Sequence, residues 1–171
     1  MLKICLFGPE STGKTTLARC LADHFETVWV PEFAREFLLR NGNVFTPAEV
    51  RPLADGQLLS QKAAILQANR VVFFDTDLVT NALYSQYCFG KIPAWLDEMA
   101  RENLPDFYFL LDTDLPWKAD ELRTHGEDRS AQMALWRWGL HRYGCRFELL
   151  SGDGEARFSK AVGRVNALLG G

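Results

Sequence analysis

Apolar and polar positions follow two rhythms along this chain. Short, nearly unbroken apolar runs predict strands over Leu2 to Phe7, Thr27 to Pro31, Arg70 to Asp75, Phe107 to Asp112 and Arg146 to Leu150. Between them, apolar residues recur at helical spacing. Helices are predicted over Lys14 to Phe25, Ala34 to Arg40, Pro47 to Asn69 (with a break), Leu78 to Phe89, Pro93 to Glu102, Arg129 to Tyr143 and Arg157 to Leu169. Strands alternating with helices imply right-handed crossovers and a mostly parallel sheet covered on both faces. Such strands are buried on both sides, so they read as continuous apolar runs. Val71-Val72-Phe73-Phe74 and Phe107-Tyr108-Phe109-Leu110-Leu111 have that character. The fold class expected is α/β, with five parallel strands and helices on both faces.

Composition narrows the picture without changing it. The 171 residues, 47% hydrophobic and 24% charged, fit one globular domain over residues 1–171. A net charge of −3 argues against a large nucleic-acid footprint. The four cysteines are scattered, with no C-x-x-C pair, and read as small hydrophobes in a reducing compartment. No stretch approaches the ~20 apolar residues of a membrane span, and the N-terminus lacks a signal-peptide layout. A cytoplasmic location is the expectation, with small molecules as partners and neither nucleic acid nor membrane.

In sheets of this kind ligands bind beyond the carboxyl ends of the strands, so the residues that end strands matter most. The first strand runs into Gly8-Pro9-Glu10-Ser11-Thr12-Gly13-Lys14-Thr15, a complete G-x-x-x-x-G-K-[ST] phosphate loop between strand and helix. Its backbone amides form an anion nest, and the helix N-terminus adds its positive dipole end. Gly8, Glu10, Ser11, Thr12, Gly13, Lys14, Thr15 and Thr16 are therefore the candidate ATP-binding set. Lys14 reaches the outer phosphates, and the Thr15 hydroxyl is a Mg²⁺ ligand.

The other strand ends are polar too. Asp75 closes the third strand and reads as the acidic partner of the phosphate loop, the second Mg²⁺ residue; the alternative is a helix cap. Asp77 suits the cap better, because Leu78 begins the helical pattern. Glu32 and Arg35 follow the second strand, where a carboxylate could orient or deprotonate an attacking hydroxyl; the alternative is a surface ion pair. The polar segment from about residue 116 to 130 reads either as a lid, with Arg123 and Arg129 closing on phosphates, or as a solvated loop. Ser151 to Gly154 with Arg157 follow the last strand and are expected to border the adenine. Three histidines without ligand spacing make a zinc site improbable. A GTPase reading fails for want of an N-K-x-D segment, and chain length argues against a large AAA machine.

Five segments in order resemble one family. They are Gly8 to Ala18, Val30 to Glu36, Asp55-Gly56-Gln57, Phe74 to Asp77, and Asp114-Leu115-Pro116-Trp117 through Leu122-Arg123. Together they are similar to the ribosylnicotinamide kinase domain of NadR-type proteins. The resemblance implies an ATP-dependent phosphorylation of the 5′-hydroxyl of nicotinamide riboside, giving nicotinamide mononucleotide and ADP. It implies ATP and Mg²⁺ as cofactors and a catalytic set of Lys14, Glu32, Asp75, Arg123 and Arg129. It also implies that the strand bearing Asp75 lies beside the first. For the substrate it implies Glu32, Arg35, Gln57 and Asp77, with Tyr84, Trp95 and Trp117 as aromatic faces for a planar cation. Two departures are visible. The phosphate loop begins at residue 8, so neither the adenylyltransferase nor the DNA-binding domain of bifunctional members is expected. Glu121 stands where the family's lid would carry a glycine. A kinase for another nucleoside or nucleoside monophosphate stays open, as does an ATP-dependent sensor without enzymatic activity.

Overall fold

The computed structural model describes residues 1–42, 44–116 and 129–171. Five parallel strands form one sheet: β1 (Leu2–Phe7), β2 (Trp29–Val30), β3 (Val71–Asp75), β4 (Phe107–Leu111) and β5 (Phe147–Leu150). Their order is β2-β3-β1-β4-β5, so β3, bearing Asp75, does flank β1. Among the described residues seven helices accompany them: α1 (Lys14–His24), α2 (Phe33–Arg40), α3 (Val50–Ile65), α4 (Leu78–Phe89), α5 (Ala94–Glu102), α6 (Arg129–Arg142) and α7 (Gly154–Gly170).

The pleat of β1 sorts the core into two layers. Ile4 and Leu6 pack with Leu17, Leu21, Ala161 and Val165 of α1 and α7. Cys5 and Phe7 turn to the opposite face, against Val50, Ala54, Leu78, Leu83, Leu96 and Trp136 of the other helices. Central strands β3 and β4 are buried at every position, as their unbroken apolar runs required.

Boundaries differ from the sequence pattern where polar chemistry intervenes. The second strand shrinks to two residues, because Glu26 takes a positive φ and Thr27 spends its hydroxyl on the Val71 carbonyl at 2.6 Å. The long helix begins at Val50, not Pro47, after Glu49 folds back to accept from the Thr46 amide at 2.7 Å. It ends at Ile65, short of Asn69. The last helix starts at Gly154, since Asp153 caps it through the Ala156 amide. The lid expected over 116–130 falls mostly on residues 117–128, so Trp117 and Arg123 lie outside the described residues.

Candidate active site

The phosphate loop leaves β1 with two glycines that the path requires. Gly8 has φ +142°, and a Cβ there would stand 2.8 Å from the Leu111 carbonyl oxygen. Gly13 has φ +87° and precedes α1, which carries neither a side-chain cap nor an acidic first-turn residue. The first-turn amides of α1 are thus left for an anion. By contrast, α4 and α7 are capped by Asp77 and Asp153.

The loop is braced from behind. Thr12 is fully buried, and its hydroxyl donates to the Pro9 carbonyl at 2.9 Å. Arg157 donates Nη1 to the Thr12 carbonyl at 2.6 Å and Nη2 to the Asp112 carbonyl at 2.9 Å, and pairs with Asp114. Lys14 Nζ bonds the Gly8 and Pro9 carbonyls at 3.0 and 2.8 Å. The Thr15 hydroxyl donates to Asp75 Oδ2 at 2.5 Å. That hydroxyl and carboxylate are hard oxygen donors beside a phosphate nest, which fits Mg²⁺, an ion usually held by one or two carboxylates plus substrate phosphates. Among the described residues no cluster of three or more His, Cys, Asp or Glu could hold a metal by itself.

A cavity of about 390 Å³ runs from this loop to the end of β2. Its phosphate end is lined by Gly8, Glu10 to Thr16 and Thr76. Its far end is lined by Glu32, Arg35, Gln57, Asn81 and Tyr84, with an apolar wall of Leu38, Phe45, Val50 and Leu53. Glu32 occupies the N-cap position of α2, yet its side chain makes no cap hydrogen bond. Burial and the charge of Asp75 raise its carboxyl to about 7, against the opposing pull of Lys14 and Arg35.

Gln57 fixes the approach to Glu32. It is buried, accepts from the Phe33 amide at 2.9 Å and reaches the Thr76 carbonyl at 3.4 Å, so it ties the ends of β2 and β3 together. Gly56 makes this possible: a Cβ there would come within 2.1 Å of the Phe33 ring. Tyr84, on α4, meets the Trp136 ring edge-on and hydrogen-bonds Glu10 at 3.4 Å.

Two residues expected at the substrate stand outside the cavity, Asp77 and Trp95. Asp77 does not line the cavity: Tyr108 donates to one carboxylate oxygen at 2.6 Å and the Thr80 amide to the other at 3.2 Å. It caps α4 inside the core, where burial raises its carboxyl to about 6 despite those bonds. Trp95 is also outside the cavity; it sits on α5 beneath the Arg51 guanidinium, 4.9 Å from its ring. Arg157, expected to border the adenine, is turned toward the phosphate loop. Its 2% exposure and three partners make it the clamp between the phosphate loop and the segment after β4.

Arg129 begins α6, and Leu115 links it to the phosphate loop. Its Nη1 donates to the Leu115 carbonyl at 2.9 Å, and Leu115 packs 3.5 Å from where a Gly13 Cβ would be. Its Nε and Nη2 have no acceptor among the described residues. The sequence pattern missed Phe45 and the apolar wall, which sit on separate elements. It also missed Asn81 and Cys88, although with Tyr84 they follow helical spacing along α4 and line the cavity.

Several known proteins resemble this chain. The trifunctional NAD biosynthesis/regulator protein NadR of Salmonella typhimurium is 29% identical over 174 residues, covering 98% of this chain and 42% of its own length. A crystal structure of NadR protein in complex with NR superposes with a TM-score of 0.82 at 19% identity, covering 99% of this chain and 51% of that one. A second, in complex with NAD and AMP-PNP, gives 0.84 at 19% identity, with 99% and 50% covered. Thymidylate kinase from Ehrlichia chaffeensis shares the fold at a TM-score of 0.71 and 13% identity, covering 96% and 98%. The chain therefore spans about half the length of the NadR chains it matches, and its fold is that of phosphate-loop kinases. Residues 3–157 match the family described as AAA_28, AAA domain, and the chain belongs to that family of phosphate-loop domains.

Proposed function

We propose that this chain is an ATP-dependent kinase that phosphorylates the 5′-hydroxyl of nicotinamide riboside, yielding nicotinamide mononucleotide and ADP. The observation that carries the reading is one continuous cavity joining a phosphate loop to a carboxylate, Glu32, held near neutral pKa at the opposite end. The relatives support the acceptor, since NadR is an NAD-biosynthesis protein and has been crystallised with NR.

The chemistry is in-line transfer, carried by positioning and charge neutralisation. The loop amides and Lys14 hold the β- and γ-phosphates. The hydroxyl oxygen of the riboside attacks the γ-phosphorus as the bond to the β-phosphate oxygen breaks, and ADP leaves with that electron pair. Glu32 takes the hydroxyl proton, for which a pKa near 7 is well matched. Magnesium, held by Thr15 and Asp75, would supply neutralisation of phosphate charge. Arg129, and Arg123 from the lid, are the guanidinium donors for the transferring group. The domain as a whole, residues 1–171, acts as a single kinase unit.

A nucleoside monophosphate acceptor is less favoured. The cations among the described lining residues are Lys14 and Arg35, and Lys14 belongs to the donor. A sensor without transfer would not need a carboxylate at the acceptor end. ADP release measured with ATP and Mg²⁺, with and without nicotinamide riboside, tests the reading. Turnover should require the riboside and yield nicotinamide mononucleotide. Better kcat/KM on thymidine or a nucleoside monophosphate would replace the acceptor while leaving the kinase, and riboside-independent hydrolysis would favour a sensor.

A further inference from the structure

A carboxylate inside a phosphate nest is out of keeping with its neighbours. Amides, a lysine and a helix N-terminus favour anions there, whereas Glu10 repels them. Glu10 nevertheless lines the cavity and is only partly buried. Its contacts say where it points. Tyr84 of α4 donates to it at 3.4 Å. Burial is the main cause that raises the Tyr84 hydroxyl, the Cys88 thiol and the Glu32 carboxyl, and the charge of Glu10 adds to each, as the least of the causes at Glu32. All three lie at the acceptor end. The Glu10 side chain therefore leaves the loop toward α4.

Among the described lining residues, the carboxylates at that end are Glu10 and Glu32 and the guanidinium is Arg35. Lys14, bonded to the Gly8 and Pro9 carbonyls, also pulls on Glu32. Leu38, Phe45, Val50 and Leu53 add an apolar lining. An apolar lining together with the Tyr84 ring and the Glu10 carboxylate beside it suits a planar, positively charged ring.

We infer that Glu10 is the specificity residue that reads the positive charge of the acceptor's ring, selecting a cationic riboside over a neutral one of the same shape. This inference rests on the proposed nicotinamide riboside kinase reading. The phosphate loop thus contributes to both substrates: its backbone holds the donor, and this one side chain selects the acceptor.

The test compares nicotinamide riboside with its dihydro form, which has nearly the same outline and no ring charge. The measured quantity is the ratio of their kcat/KM values in wild type and in Glu10→Gln. A partly buried charge contact lies between exposed and fully desolvated pairs in strength, so the ratio should fall about tenfold in the variant, chiefly through KM of the cationic riboside. Ionic strength supplies a second measurement that needs no variant: in wild type the ratio should decline as salt rises. A ratio indifferent to both the substitution and salt overturns the role of Glu10 while leaving the kinase reading intact. Failure of wild type to phosphorylate either riboside overturns the acceptor itself, and this inference with it.

Discussion

The two ends of the cavity are built by opposite means. The phosphate end is backbone held by buried braces: Thr12 ties the loop to itself, and Arg157 pins it to the segment after β4. Its geometry follows from β1, one loop and the start of α1, all contiguous in sequence. The acceptor end is made of side chains from separate elements. Glu32 follows a two-residue edge strand, Gln57 comes from α3, Tyr84 from α4, and the apolar wall from α2, the segment before α3 and α3 itself. The phosphate end is thus fixed by the fold, which this chain shares with phosphate-loop kinases. The far end can change by single side chains, and the proposed function puts acceptor choice there.

The largest effect should come from the shared end. Lys14→Ala removes a charge that the loop holds in position, and turnover should fall by about 10²–10³. Among the described residues Lys14 Nζ bonds backbone carbonyls of its own loop, so circular dichroism should match wild type. Near-normal turnover in a folded variant would remove the transfer chemistry and, with it, the distinction between the two ends.

That asymmetry also governs what could be read from sequence. A local motif advertises a local structure, so the phosphate loop, its strand and its helix were legible residue by residue. Asp75 was legible because a buried parallel strand must end somewhere polar. Asp77 and Trp95 misled for related reasons. An acidic residue at a strand end and an aromatic near a glycine both suit a ligand, but burial beside Tyr108 claims the first and Arg51 covers the second. The clamp made by Arg157 was illegible because its position after the last strand says nothing of which way a long side chain turns. Phe45 and Leu53 were illegible as site residues, because any apolar side chain reads first as core.

Next come the two carboxylates, Glu32 and Asp75; after burial, the charge of the second raises the first. Glu32→Gln should lower kcat about 10²-fold, the low end for loss of a general base. Wild-type kcat/KM should rise with pH through about 7 as Glu32 ionises, and the variant should lose that acid limb. Stability should move the other way. A folded pKa of about 7, above the reference of 4.5, means the folded state binds the extra proton between those values. Wild type should therefore lose stability as pH rises across that window, and Glu32→Gln should melt higher than wild type at pH 8 with the gap closing at lower pH. Asp75→Asn should instead raise the Mg²⁺ concentration needed for half-maximal rate. Identical metal dependence in both variants would mean that the two groups share one role.

Gly56→Ala sharpens the comparison from a position that touches no ligand. The added methyl would meet the Phe33 ring at 2.1 Å, and Phe33 carries the amide that Gln57 holds. Overpacking of this kind costs about 1–3 kcal/mol, read as a Tm drop of several degrees. Because the strain enters beside Glu32 and far from the phosphate loop, KM for the riboside should rise several-fold while KM for ATP stays within about twofold. Equal changes in both constants would show that the two ends are mechanically one site.

The smallest effects separate the two aromatic candidates. Tyr84 lines the cavity and holds Glu10, whereas Trp95 lies outside it with Arg51 over its face. Tyr84→Phe keeps the ring and its edge contact with Trp136 but releases Glu10, so KM for the cationic riboside should rise about two- to fivefold, the order expected of losing one long hydrogen bond. Trp95→Ala should cost stability, about 0.5–1 kcal/mol from the lost cation–π contact beyond its packing, and leave both Michaelis constants within error. The comparison needs both variants in parallel, with Tm recorded beside the kinetics. If Trp95→Ala raised the riboside KM as much as Tyr84→Phe did, the acceptor would have to extend past α4 to α5. The site would then be more than the cavity between the phosphate loop and the end of β2, and the division between a fold-built donor end and a side-chain-built acceptor end would have to be redrawn around α5.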